Sequence, residues 1–199
     1  MSSQPKIDQR ILRTRQALRE ALMALVVEQP YETITVQQIT ARAGVARTTF
    51  YLHYQDRDDL LFRGFSDLYD QLRTAVAPLQ LNATADWDHV AAHADFYRAL
   101  LGEQGHAAFV VFLRTLLVEV MQEHVIQPLV NAGQPRLNTD LIAHSLAGAQ
   151  LGLYIWWLES DMVVPAAEMA QAGQDMAVKG LLWATGVAGS SVEMPTGES

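Results

Sequence analysis

The 199-residue chain is half hydrophobic, carries a formal net charge of -8 at pH 7 and contains no cysteine. The missing cysteines exclude a disulfide scaffold, a thiolate metal site and a cysteine nucleophile, and they fit a reducing cytoplasm. The N-terminus is polar, without the apolar core of a signal peptide, and charges interrupt the apolar stretches short of membrane-spanning length, so a soluble, cytoplasmic protein with no membrane partner is expected.

The charge is unevenly placed. Residues 1–64 hold nine Lys or Arg against seven Asp or Glu, a net of +2, while the remainder holds five against fifteen, a net of -10. An acidic body repels a phosphate backbone and leaves the basic-leaning head as the part that docks on nucleic acid.

In chain order, Ile7 to Val27 places Ile11, Leu18, Leu22, Leu25 and Val26 on one face of a helix, with Arg10, Arg13, Arg15 and Arg19 over much of the rest. Pro30 ends this helix, and Tyr31 to Ile34 forms a linker. Thr35 followed by Gln38 offers a capping box, so a second helix begins at Val36. Gly44 comes just past the apolar pattern Val36, Ile39, Ala43, where a chain leaving a helix often needs the positive φ that glycine adopts cheaply. Val45 and Phe50 then anchor a third helix, leaving Arg47, Thr48, Thr49 and Tyr51 on its other surfaces. This is the spacing of a helix-turn-helix.

Thr35 to Leu60 resembles the N-terminal signature of the TetR-like bacterial transcriptional regulators. Gly44, Val45, Thr49, Phe50, Tyr51, His53 and Leu60 agree in identity and register; Tyr54 replaces Phe and Arg57 replaces Lys. Thr40 stands where the family usually has Ala at a close helix contact, and Ala46 where it often has a capping Ser, a loss of about 1 kcal/mol if nothing replaces the cap. The resemblance implies a head that binds a double-stranded DNA operator and places Tyr51, His53 and Arg57 on the DNA backbone. Other roles remain open for these three: Tyr51 and His53 as packing residues of the module, Arg57 as a solvated charge near a helix cap. Arg47 suits guanine or phosphate, and Thr48 and Thr49 suit a thymine methyl or a phosphate oxygen. Thr35 and Gln37, at the start of the preceding helix, complete the expected DNA-binding set.

Asp56 reads as the cap of a fourth helix from Arg57 to about Ala77, with Asp58 and Asp59 in its first turn, linking head to body as a lever. Four further helical stretches follow, roughly Ala85 to Leu101, His106 to Val130, Thr139 to Glu159 and Pro165 to Thr185. No strand alternation of useful length and no fixed-period repeat occurs. An all-α chain is therefore expected: a three-helix DNA-binding head over residues 1–55, a helical effector-binding and dimerisation body over 56–187 and a disordered tail over 188–199.

The body also resembles the C-terminal domain of one TetR-like subgroup through Phe96 to Leu101 and Leu146 to Glu159. That resemblance implies a homodimer held by the last two long helices, with Leu146, Gly148, Leu151, Gly152, Leu181, Leu182 and Trp183 at the interface; packing of the same residues within one chain is the alternative. It further implies repression relieved by a small-molecule effector, for which His93, Tyr97, Phe112, Arg114, His144, Tyr154 and Trp157 offer aromatic surface and polar handles. No cofactor is expected.

His89 and His93 stand four apart near Asp86 and Asp95 and could share a metal ion on one helix face. No Glu follows His89 as in a zinc protease, and no third ligand is dictated. Ser145 beside His144 lacks a nucleophile elbow, and a glycine-rich phosphate loop is missing. Catalysis is thus not expected, and the alternative to a DNA-reading regulator is a helical metal- or ligand-binding protein.

Overall fold

The computed structural model describes residues 9–74, 84–103, 105–131, 135–173 and 175. Every regular element among them is helical, so the all-α expectation holds. The chain divides into two compact units: one runs through Gln71 and takes in Asp95–Phe109, the other comprises Leu72–Ala94 and the chain from Val110 onward. Whereas the sequence placed a boundary at residue 55, most of the fourth helix clusters with the head.

The first unit opens with α1 (Gln9–Glu28), which buries Leu18, Ala21, Leu22, Leu25 and Val26. Ile11, expected on the same face, is 38% exposed, because it lies two turns ahead of the first residue that reaches the core. A 3-10 turn at Tyr31–Thr33 leads into α2 (Val36–Ala43) and α3 (Arg47–Tyr51), and α4 covers Arg57–Thr74. Asp56 caps α4 as expected: its Oδ1 accepts from the Asp59 N–H at 2.8 Å, and Asp59 Oδ2 in turn accepts from the Gln55 N–H at 2.9 Å. The core of this unit holds Leu18, Ile34, Ile39, Phe50, Tyr54 and Leu60.

The expected helix Ala85 to Leu101 is two helices, α5 (Thr84–Ala92) and α6 (Ala94–Leu101). They bury their apolar residues in different units. In the first unit Phe65 of α4 meets Tyr97 edge-on at 6.1 Å and Phe109 at 5.2 Å. In the second, Trp87 of α5 meets Tyr154 at 4.8 Å and Trp157 at 5.2 Å. A tight turn follows α6, in which the Gly105 N–H donates to Gly102 O at 2.7 Å and the His106 N–H to Leu100 O at 3.0 Å. A Cβ on Gly105 would lie only 2.3 Å from Leu100 O, so this close approach requires glycine.

The expected helix His106 to Val130 begins as α7 (Ala107–Val120), widens into a π-helical segment over Met121–Ile126 and ends as α8 (Gln127–Val130). The Gln127 N–H bonds five residues back, to Gln122 O. Pro128, which has no N–H and cannot accept the carbonyl four residues back at normal helical distance, accounts for the wider turn. Met121, Val125 and Ile126 pack with Ile142 and Ala143 of α9 (Thr139–Glu159), whose Asn138 cap accepts from the N–H groups of Asp140 and Leu141. Trp157 donates from Nε1 to Val164 O at 2.7 Å, closing the turn after α9.

Leu141 to Leu158 carries no Asp, Glu, Lys or Arg, so, contrary to the expectation of charge interruption, α9 is long and apolar enough to cross a membrane by length and composition alone. Part of that apolar surface is buried within the protein. Residues 166–173 are helical, in line with the last expected helix. The rest of that helix and the tail from 188 lie outside the described residues.

Candidate nucleic-acid interface

The helix-turn-helix is set by two local devices. Thr35 and Gln38 form the complete capping box: the Thr35 hydroxyl accepts from the Gln38 N–H at 3.3 Å, and Gln38 Oε1 accepts from the Thr35 N–H at 2.8 Å. At the other end of α2, Gly44 takes the left-handed conformation at φ 65. The Val45 N–H then donates to Thr40 O at 3.0 Å, a Schellman-like closure that turns the chain into α3. Thr40 is buried with its hydroxyl satisfied, donating back toward Val36 O (2.9 Å) and Gln37 O (3.1 Å). Ala46 leaves α3 without a side-chain cap.

Fully buried Phe50 fixes which way α3 faces. Arg47, Thr48 and Tyr51 are exposed and Thr49 is half-buried. Arg47 and Tyr51, one turn apart, touch: Nη2 donates to the Tyr51 hydroxyl at 3.4 Å, with the guanidinium 5.8 Å from the ring centre. Gln37 is exposed near the start of α2, while Thr35 is occupied by capping. His53 is half-buried, and burial, followed by the nearby Arg15 cation, lowers its pKa. Near neutral pH it is therefore an uncharged donor. Leu52, which the sequence did not single out, is 81% exposed at the end of the same helix; its spacing of four from Thr48 was the available signal.

Arg57 makes contacts within the head that the sequence did not indicate. Its Nη1 donates to three carbonyl oxygens of the 3-10 turn and its exit, those of Tyr31 (2.8 Å), Glu32 (2.8 Å) and Ile34 (2.9 Å). Nε donates to Asp58 at 3.2 Å, and the guanidinium lies 4.5 Å from the Tyr31 ring centre. The Tyr31 hydroxyl donates to the same carboxylate at 2.6 Å. A guanidinium engaged with three carbonyls, a carboxylate and a ring is a structural tie from α4 to the turn before α2. His106 packs on this cluster, 4.4 Å from the Tyr31 ring and 3.4 Å from Glu32 Oε1.

Among the expected effector residues, Tyr97 is buried in the first unit, whereas Tyr154 and Trp157 fill the core of the second around Trp87. Elsewhere in the second unit, Phe112 and His93 are half-buried and Arg114 and His144 are exposed. Of the expected dimer residues, Gly148 and Gly152 lie on the exposed side of α9. Leu151 is buried within the chain, and Leu146 packs on the Met121 and Ile142 cluster. Leu181, Leu182 and Trp183 lie outside the described residues.

His89 and His93 have ring centres 4.6 Å apart, and among the described residues no group of three or more metal-ligating side chains occurs. Burial, then His93, holds the His89 pKa down at about 4. The unfolded chain protonates this residue near 6.5. The unfolded state therefore takes up the proton first, and stability present above that pH is lost as pH falls from 6.5 toward about 4. After discounting for partial exposure, the expected loss is about 1–2 kcal/mol between neutral pH and the bottom of this window. Urea unfolding of wild type and His89→Gln across the window checks this. Identical acid sensitivity in the two proteins would refute it.

Residues 18–63 match the profile of "Bacterial regulatory proteins, tetR family", and residues 87–179 match that of "Transcriptional regulator C-terminal region". The HTH-type transcriptional regulator YxbF of Bacillus subtilis (strain 168) is 37% identical over 78 residues, which are 37% of this chain and 20% of that protein. The chain thus matches about a fifth of the length of this relative. Among solved structures, the dihydroxyacetone kinase operon activator DhaS superposes with a TM-score of 0.67 at 16% identity, covering 84% of this chain and 96% of that one. A TetR transcriptional regulator from Streptococcus agalactiae 2603V gives 0.61 at 23% identity, covering 85% and 96%. FadR from Bacillus subtilis, in complex with stearoyl-CoA, gives 0.57 at 17% identity, covering 83% and 98%. The structural likenesses show the fold. The two profiles together span most of the chain, the first of them over the helix-turn-helix just described, and the chain belongs to the tetR family of bacterial regulatory proteins, a family of DNA-binding transcriptional regulators.

Proposed function

We propose that the protein is a cytoplasmic, dimeric repressor that reads a pseudo-palindromic operator and is released from it by a small-molecule effector. The observation that carries this reading is the exposed surface of α3: Arg47, Thr48 and Tyr51 stand exposed together while Phe50 is fully buried. In this reading Arg47 reads guanine, and Thr48 and Thr49 contact base or phosphate. Gln37, Tyr51 and the uncharged His53 meet the backbone, with Thr35 holding the start of α2 in place. Arg57 supports the head from within.

So short a helix presents too few side chains for a specific site, and a two-fold dimer doubles them, with half-sites about one helical turn apart. Dimerisation is supported by the exposed side of α9, where Leu141 (57%) and Trp156 (48%) flank Gly148 and Gly152. A Cβ on either glycine would meet nothing within 4 Å, so this side is open to close approach by a second helix. An effector in the body is supported by the indole N–H of Trp87, which is buried beside Tyr154 and Trp157 without an acceptor among the described residues. A ligand's oxygen or nitrogen would satisfy it.

Trp156→Glu places a charge in the proposed dimer face, and sedimentation together with duplex binding over a salt series tests it. Wild type is expected to sediment as a dimer and to bind with steep salt dependence, while the variant sediments as a monomer and binds about 100-fold more weakly. A monomeric wild type, or binding indifferent to salt, would overturn the proposal.

A further inference from the structure

Leu52 has the highest exposure of any large hydrophobic residue among those described. Its backbone, at φ -75 and ψ -18, continues the helical path of α3. Leu52 therefore stands one turn beyond Thr48, beside Tyr51 and roughly opposite buried Phe50. Arg47, Thr48, Tyr51 and Leu52 thus form one face, and Leu52 is its member without a polar atom. At 81% exposure the isobutyl group gains little from the protein's own fold, and its apolar area leaves water only when something docks on α3. The major groove offers one apolar group to a side chain in that position, the C5 methyl of a pyrimidine.

We propose that Leu52 is a specificity-determining residue that recognises a pyrimidine C5 methyl in each operator half-site. The inference rests on the DNA-reading function proposed above. Leu52 packs on the methyl edge of a thymine while Arg47, on the preceding turn, holds the neighbouring base or phosphate. Cytosine methylated at C5 presents the same methyl in the same place, so operator affinity is responsive to cytosine methylation at that position.

The test uses full-length protein, a selected operator duplex and the same duplex with each thymine replaced in turn by uracil, which removes the methyl and keeps the base pair. Wild type is expected to lose about four-fold in affinity per half-site at one thymine position, the worth of one buried methyl. Leu52→Ala is expected to bind the thymine operator more weakly and to be indifferent to uracil there, with unchanged thermal unfolding, since the side chain packs on little in the free protein. In an operator carrying cytosine at that position, C5 methylation is expected to strengthen wild type and not the variant. If wild type is indifferent to uracil at every position, or if Leu52→Ala weakens thymine and uracil operators equally, Leu52 touches sugar or phosphate instead and the proposal is overturned. Absence of any selective duplex binding by wild type would strike the regulator function itself.

Discussion

Arg57→Ala is expected to destabilise the first unit by about 2–4 kcal/mol. The loss combines three effects. The carbonyls of Tyr31, Glu32 and Ile34 lose a shared cationic donor, the Asp58 carboxylate loses its ion pair, and the Tyr31 ring loses the cation above it. Arg57→Lys keeps the charge but not the planar fork, so it should recover only part of the stability. There is also a pH signature. Burial alone would raise the Asp58 pKa, but hydrogen bonds from Tyr31 and Arg57 outweigh it and bring the value below its ordinary 3.8. For a carboxylate lowered in this way, the stabilisation is complete above the ordinary pKa and is lost as pH falls through the lowered one. Arg57→Ala should therefore also flatten the acid limb of the stability profile. Urea titrations from neutral pH downward measure both quantities, and a variant within about 0.5 kcal/mol of wild type at neutral pH would contradict the structural role given to Arg57.

Arg47→Ala is expected to act in the opposite way, leaving the fold unchanged and weakening operator binding by about 1–3 kcal/mol, or about 5- to 150-fold. The side chain is exposed, and its one described hydrogen bond is the 3.4 Å contact to the Tyr51 hydroxyl, so the free protein loses little. In the bound state a guanidinium facing guanine contributes specificity, whereas one facing phosphate contributes only affinity and salt dependence. Competition binding against single-base operator variants separates the two. A variant with wild-type affinity for all of them would remove Arg47 from the reading surface.

The contrast between these two arginines shows which features are legible in a sequence. Thr35, Gln38 and Gly44 could be read because a capping box and a left-handed helix end are local: each is decided within a few residues, and the structure forms both. The orientation of α3 was legible for a similar reason, since one large apolar residue in a short helix dictates the buried side. The destination of Arg57 was not legible, because its carbonyl partners lie 23 to 26 residues earlier in the chain. Nor was the break at His93, which lacks the usual Pro or Gly. It arises because Trp87 and Val90 are buried in one unit and Phe96 and Tyr97 in the other, a tertiary fact that helical periodicity does not carry. The apolar content of α9 likewise concealed which side is open. Leu151 is buried and Leu146 packs on the Met121 and Ile142 cluster, while Leu141 and Trp156 stay exposed.

The most direct test of the central claim is selection of bound sequences from a random duplex library by the purified full-length protein at low and moderate salt. Enrichment of an inverted repeat with fixed spacing is the result expected of a two-fold reader presenting the α3 face. Failure of a folded dimer to enrich any sequence would contradict it.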